Sequence, residues 1–151
     1  MVIRDFYFYI KGKLVRKGIT NKEVAKSLLE KAEARFSRIE RNKVEENETS
    51  MVFEDVYEAL MEASQSLMEL KSFKPYSHEA VISFLKQEKI LSEEKLNRID
   101  NYRILRNNSV YKAERVSMEK CTEAIEFTKG TLKEIKEKFN ELTKVKPAKV
   151  L

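Results

Sequence analysis

Residues 51–71, MVFEDVYEALMEASQSLMELK, decide the fold. Phe53, Val56, Tyr57, Leu60, Ala63, Leu67 and Leu70 recur every three or four positions, so they line one face of a helix. No Gly or Pro interrupts the stretch, and Lys74-Pro75 prevents its continuation, because the residue before a proline avoids the helical region.

The same periodicity extends outward in both directions. Upstream, Thr20-Asn21-Lys22-Glu23 reads as a capping box, with Thr20 as N-cap, Glu23 at N3 and Ile19 and Val24 as a hydrophobic staple. The helix it opens carries Val24, Leu28, Ala32, Phe36 and Ile39 and is expected to end near Arg41. Residues 42–50, rich in Asn and Glu, read as a mobile loop. Downstream, Ser77 caps a short helix with Val81, Phe84 and Leu85 turned inward, ending near Lys89. Ser92 opens the next helix, with Leu91 and Leu96 at staple positions. This helix is expected to end at Arg106 or Asn107, where Asn107-Asn108-Ser109 favours turns and caps over helix interiors. Ser117 caps the last helix. Its stripe runs from Cys121 through Ala124, Ile125, Thr128, Leu132, Ile135 and Phe139 to Leu142. Ahead of these, residues from Asp5 to about Lys17 place Phe6, Tyr9, Ile10 and Leu14 on one helical face, although Phe6 to Ile10 would also pair as a strand.

The expected fold is therefore all-α: an antiparallel bundle of four to five helices over residues 19–144. An aromatic segment, 1–18, packs on the bundle, and a frayed tail, 145–151, follows. A 151-residue chain buries a core without metals or disulfides. The long stripe of the last helix serves either that core or a dimer interface.

Composition removes many functions. Three glycines leave no phosphate-cradling loop of the Walker or dinucleotide type. One histidine and one cysteine leave no transition-metal cluster, and no cofactor is called for. Cys121 falls on an apolar face and reads as a buried thiol. No run reaches the roughly 20 apolar residues of a membrane span, and the first residues lack a signal-peptide core, so a cytoplasmic protein without membrane association is expected. The net charge of +5, from 30 basic and 25 acidic residues, permits contact with nucleic acid without requiring it. His78 stands at the first position of a helix, where the dipole disfavours an imidazolium. It reads as a packing or capping residue near Tyr76 and the 51–71 helix.

What remains is the segment from Tyr102 to Tyr111. Arg103 and Arg106 are three apart and share a helical face. Two guanidiniums together can seat a phosphate or carboxylate. Asn107, Asn108 and Ser109 add neutral donors, and Tyr111 adds a hydroxyl or a stacking face. The competing reading is structural: both arginines pair with acids of the 51–71 helix, at Glu54, Asp55, Glu58 or Glu62.

Several landmarks follow one another in order. They are Ala32-Glu33-Ala34-Arg35; the Pro-containing turn 71–76; Ser77-His78-Glu79-Ala80-Val81-Ile82-Ser83-Phe84-Leu85; Ile99-Asp100-Asn101-Tyr102-Arg103-Ile104-Leu105-Arg106-Asn107 leading into Tyr111; and the capped final helix. In this pattern the chain resembles the HEPN family of prokaryotic helical bundles over about residues 23–142. The resemblance implies a homodimer whose two sites meet at a shared cleft. It also implies metal-independent ribonuclease chemistry in members carrying an R-x4-6-H motif, often toxins encoded beside a nucleotidyltransferase-like antitoxin. Carried over, Arg106 takes the motif arginine, Asn107 the polar position after it, and Tyr111 the place of the histidine. Tyrosine, with a reference pKa of about 10, is a poor general base at neutral pH. Arg106 and Tyr111 are thus the candidate catalytic pair, and Arg103, Arg106, Asn107, Asn108 and Tyr111 the candidate phosphate or RNA contacts. The implied function is a HEPN-like binding or toxin–antitoxin component that contacts RNA or nucleotide phosphate with weak or no catalysis. The alternatives are an active ribonuclease toxin and a purely structural interaction protein.

Overall fold

A computed structural model describes residues 2–144; the expected frayed tail lies outside them. Six α-helices and one two-stranded ribbon follow in order: α1 (Phe6–Lys11), β1 (Val15–Lys17), α2 (Lys22–Glu40), α3 (Thr49–Leu70), β2 (Phe73–Pro75), α4 (His78–Gln87), α5 (Glu93–Lys112) and α6 (Met118–Thr143). A single 3-10 turn, Glu46–Glu48, precedes α3. The all-α class holds, with α2 to α6 as the bundle.

The 51–71 stretch is the central helix, α3. Its predicted stripe is buried except for the partly exposed Leu70, and Ala59, Met61, Ser64, Ser66 and Met68 are buried as well. A helix covered on nearly all sides must satisfy its own polar groups. Ser64 and Ser66 do so by donating to the carbonyls of Leu60 and Ala63. Cross-helix pairs fix the directions. Arg38 meets Asp55 and Lys31 meets Glu62, so α2 and α3 are antiparallel. Ser109 meets Glu54 while Arg106 lies over Tyr57, so α3 and α5 are antiparallel. Lys129 meets Glu40 and Lys136 meets Glu33, so α6 is antiparallel to α2 and runs alongside α3 in the same sense. The parallel start of α3 and α6 is pinned where Thr49 Oγ1 donates to the Val116 carbonyl (2.7 Å) and Val116 N donates to Ser50 Oγ (3.0 Å).

Four local expectations need correction. The cap of α2 is Asn21, whose side chain accepts from Val24 N, while Thr20 hydrogen-bonds Ser72 instead. The buried face of α2 is Ala25, Leu29, Ala32, Phe36 and Ile39; Ile19 and Val24 are exposed and form no staple. The apolar pattern 24–28 and the pattern 25–29 fit the same heptad, and α3 selects the second. The segment before α2 is one short helix followed by a strand. β1 pairs antiparallel with β2, Val15 opposite Pro75 and Lys17 opposite Phe73.

The fourth correction concerns α5. The Asn107-Asn108-Ser109 cluster does not end it; the helix continues to Lys112 and stops at Ala113, which adopts the left-handed conformation (φ 53°, ψ 30°). Lys13, Ser72 and Lys89, just beyond α1, α3 and α4, are left-handed too, and none of the four is glycine. Such a residue with a Cβ costs roughly 1–2 kcal/mol. Ala113→Gly is therefore expected to raise stability by about 0.5–1 kcal/mol, after the entropy that glycine adds to the unfolded chain. Thermal melting of the variant checks this. A fall in stability would place Ala113 outside a left-handed helix end.

Candidate functional site

The sequence places Arg103 and Arg106 on one face of α5, and the structure gives them different surroundings. Arg103 Nε donates to Asp100 Oδ1 (2.8 Å), one turn earlier, and its Nη1 reaches Glu79 Oε1 on α4 (3.5 Å). Its side chain is only 17% exposed. This is a clamp between α4 and α5; the pairing with acids of α3 that the structural reading expected for Arg103 does not form. Of the α3 acids, Glu54 accepts from Ser109, and Asp55 and Glu62 hold Arg35 of α2; none pairs with either arginine among the described residues.

Arg106 has no carboxylate within ion-pair distance among the described residues. Its guanidinium carbon stands 5.8 Å from the centre of the Tyr57 ring, and its Nη1 donates to Asn107 Oδ1 (3.3 Å). Tyr57 comes from α3 and is buried. That hydroxyl lies 2.9 Å from His78 Nδ1, with the rings 5.4 Å apart. His78 is the first residue of α4, positioned by the Ser77 cap, whose side chain accepts from Ala80 N. Three helices thus bring Tyr57, His78 and Arg106 to one corner, half-buried at His78 and Arg106.

The electrostatics follow from burial and the arginines. Burial lowers the His78 pKa from its ordinary value, Arg106 and then Arg103 add to the effect, and Glu58 opposes it. Burial drives the Tyr57 pKa far above its ordinary value, although both arginines pull it down. At neutral pH the pair is a neutral imidazole and a neutral phenol. Whichever tautomer the imidazole adopts, Nδ1 is committed to Tyr57, and no other hydrogen bond to the ring forms among the described residues. With Nδ1 accepting from the Tyr57 hydroxyl, Nε2–H is left to donate, and the corner then offers a guanidinium, an imidazole N–H and a carboxamide: donors suited to an oxyanion.

The remaining predicted residues are scattered. Tyr111 is 76% exposed and five residues beyond Arg106, on another side of the helix. It is not brought to the corner, so the expected Arg106–Tyr111 pair does not form. Asn108 contributes its backbone carbonyl to the end of α5, accepting from Ala113 N and Glu114 N. Tyr57 read as core and His78 as packing; the contact of His78 with the 51–71 helix was expected, its proximity to Arg106 was not. Cys121 is buried as expected, and burial raises its thiol pKa. Among the described residues, no helix is long and apolar enough to cross a membrane, and no cluster of three potential metal ligands occurs.

Comparison with protein-family models, curated proteins and solved structures gives no match.

His78 is the chain's only histidine, so its titration is isolated in a proton NMR spectrum. Its pKa is expected below the unfolded value of about 6.5. A depressed folded-state value means that the unfolded chain binds the proton more readily. The associated stability is therefore complete above about pH 6.5 and is lost as pH falls through the folded-state value. Denaturant melts at pH 7 and pH 5 should show this loss, and His78→Gln should remove that part of it. An imidazole titrating at or above 6.5 would overturn the account.

Proposed function

We propose that the chain is a HEPN-like helical protein that binds the phosphate of a nucleotide or RNA strand at the Arg106–Tyr57–His78 corner, with weak or no catalysis. One observation carries the reading: Arg106 is half-buried on an aromatic ring with no carboxylate partner among the described residues, beside a neutral imidazole. A guanidinium so placed retains its fork of donors for an incoming oxyanion. The order of sequence landmarks supports the same reading. In it Arg106 grips phosphate, Asn107 holds the guanidinium, and His78 adds a ring nitrogen. Arg103 leaves the contact set and becomes the brace that holds α4 against α5. The homodimer and the nucleotidyltransferase-like partner belong to this proposal. The apolar stripe of α6, which suggested a dimer face, is largely used inside the chain; the exposed apolar residues of the neighbouring helix are Ile104, Val110 and Tyr111.

A second reading is favoured by the same corner. A neutral imidazole near a guanidinium can exchange a proton at neutral pH, which Tyr111 cannot do well. If the protein cleaves RNA without metal, His78 takes that role in place of Tyr111.

Filter binding of a short RNA across a salt series tests the proposal. A charge-assisted contact contributes about 1.5–3 kcal/mol, so Arg106→Ala should weaken binding by roughly tenfold to a hundredfold. It should also reduce the salt slope by about 0.7, one phosphate contact on a single strand. Affinity indifferent to both salt and Arg106→Ala would leave only the structural interaction protein. RNA decay measured in parallel decides the second reading: equal rates for wild type, Arg106→Ala and His78→Gln would remove it.

A further inference from the structure

Positive charge is unevenly distributed along the chain. The first twenty residues hold Arg4, Lys11, Lys13, Arg16 and Lys17 against Asp5 alone, four of the five excess charges of the whole protein. This segment also exposes apolar side chains that its packing does not need. Phe6 and Tyr9 do the anchoring: both are buried, Phe6 against Phe73 and Phe84 (5.0 and 5.7 Å between ring centres), and the Tyr9 hydroxyl accepts from Arg4 N. Tyr7, Ile10 and Leu14 stay exposed.

The ribbon continues this surface onto a second segment. Tyr76 N donates to the Leu14 carbonyl (2.8 Å), which extends the β1–β2 register by one pair, Leu14 opposite Tyr76. Strand alternation then puts Leu14, Arg16 and Tyr76 on the face opposite buried Val15; Lys74 shares their parity, but its ammonium is held by Glu69. Tyr7 precedes Ile10 by three residues on α1, so the two share a side of that helix. Tyr7 and Tyr76, 67% and 64% exposed, are aromatic faces open to solvent, Tyr7 within the basic first segment and Tyr76 on the ribbon strand facing it.

We propose that α1 and the outer face of the β1–β2 ribbon form a binding surface for single-stranded nucleic acid. Bases stack on Tyr7 and Tyr76, and Lys11, Lys13 and Arg16 follow the phosphates. Aromatic faces supply sequence-tolerant stacking, and the surrounding cations supply the salt-dependent attraction. Charge complementarity selects a polyanion over an ordinary protein surface. The short α1, with its inner side consumed by the core, lacks the long apolar face that lies in a membrane interface. Tyr76 stands two residues before His78, so this surface borders the Arg106 corner, but the residues assigned to it are not those of the corner.

The test uses fluorescence anisotropy of labelled 12-nucleotide adenylate strands, RNA and DNA, with the full chain. Inorganic polyphosphate of matched charge and phosphatidylserine-containing vesicles serve as comparison probes. Both tyrosines are exposed, and melting curves confirm that the variants fold. Tyr7→Ala and Tyr76→Ala should each weaken strand binding about fivefold or more, whereas Tyr76→Phe keeps it. Arg16→Glu should weaken it and flatten its salt dependence. The effect of Tyr76→Ala should persist in an Arg106→Ala background, which separates this surface from the corner. Three outcomes would overturn the proposal: strand affinity unchanged by both tyrosine substitutions, polyphosphate bound as tightly as the strands, or vesicle binding that Tyr76→Ala removes in the absence of strand binding. Equal weakening of RNA and DNA supports backbone-and-base recognition; loss confined to RNA supports it with a 2′-hydroxyl contact added.

Discussion

Burial of α3 on nearly every side is the constraint from which the other elements take their places. Phe53, Val56, Tyr57, Leu60, Met61, Leu67 and Met68 leave almost no solvent face, so α2, α4, α5, α6 and the ribbon must each cover part of it. The cost is polar. Glu62 and Glu69 are buried on this helix, and a buried carboxylate is destabilising unless it is paired and hydrogen-bonded. Arg35 and Lys31 of α2 meet Glu62, and Lys74 of β2 meets Glu69. These pairs set register: α2 cannot slide along α3 without stranding Glu62, and β2 is tied to the end of α3. The choice of Ala25 and Leu29 over Val24 and Leu28 as the inner face of α2 follows from that register.

The corner at Tyr57 is a consequence of the same arrangement. A tyrosine on a helix this enclosed buries its ring and must find a partner for its hydroxyl. The N-terminus of α4 supplies one in His78. The reciprocal effect is that the imidazole loses water and stays neutral, while the nearby arginines discourage its protonation further. Packing of α3 and a proton equilibrium on α4 are therefore one interaction seen from two sides. Glu58, on the next position of α3, is the opposing charge.

Much of the fold was legible. Caps at Ser77, Ser92 and Ser117, each accepting from a backbone N–H three residues on, fixed three helix starts to the residue. Helix ends were harder, because this chain ends α5 without the glycine that usually signals a left-handed stop. At Asn107-Asn108-Ser109, intrinsic preference is overridden by tertiary contact: Ser109 is buried and donates to Glu54, and the Asn107 side chain holds Arg106. The ribbon was not legible, since two three-residue strands 58 residues apart in sequence carry no periodicity of their own. The same holds for the site. Tyr57 and His78 each had an adequate local explanation, and only the packing of α4 on α3 brings them within hydrogen-bonding distance.

The contrast between the two arginines, however, was present in the sequence. On a helix, the neighbours of a residue lie three and four positions away. For Arg103 these include Asp100, a carboxylate one turn earlier, in a position to hold the guanidinium along the helix surface. For Arg106 they are Tyr102, Arg103, Ser109 and Val110, none acidic. The structure adds Glu79 to the first arginine and an aromatic ring to the second. A guanidinium satisfied by two carboxylates is structural whatever its exposure. One that rests on a ring and a neutral amide keeps its charge uncompensated at short range, and like charge from Arg103 disfavours any further cation beside it. An anion is the ligand chemistry that relieves this imbalance, so Arg106 is the candidate contact and Arg103 belongs to the fold.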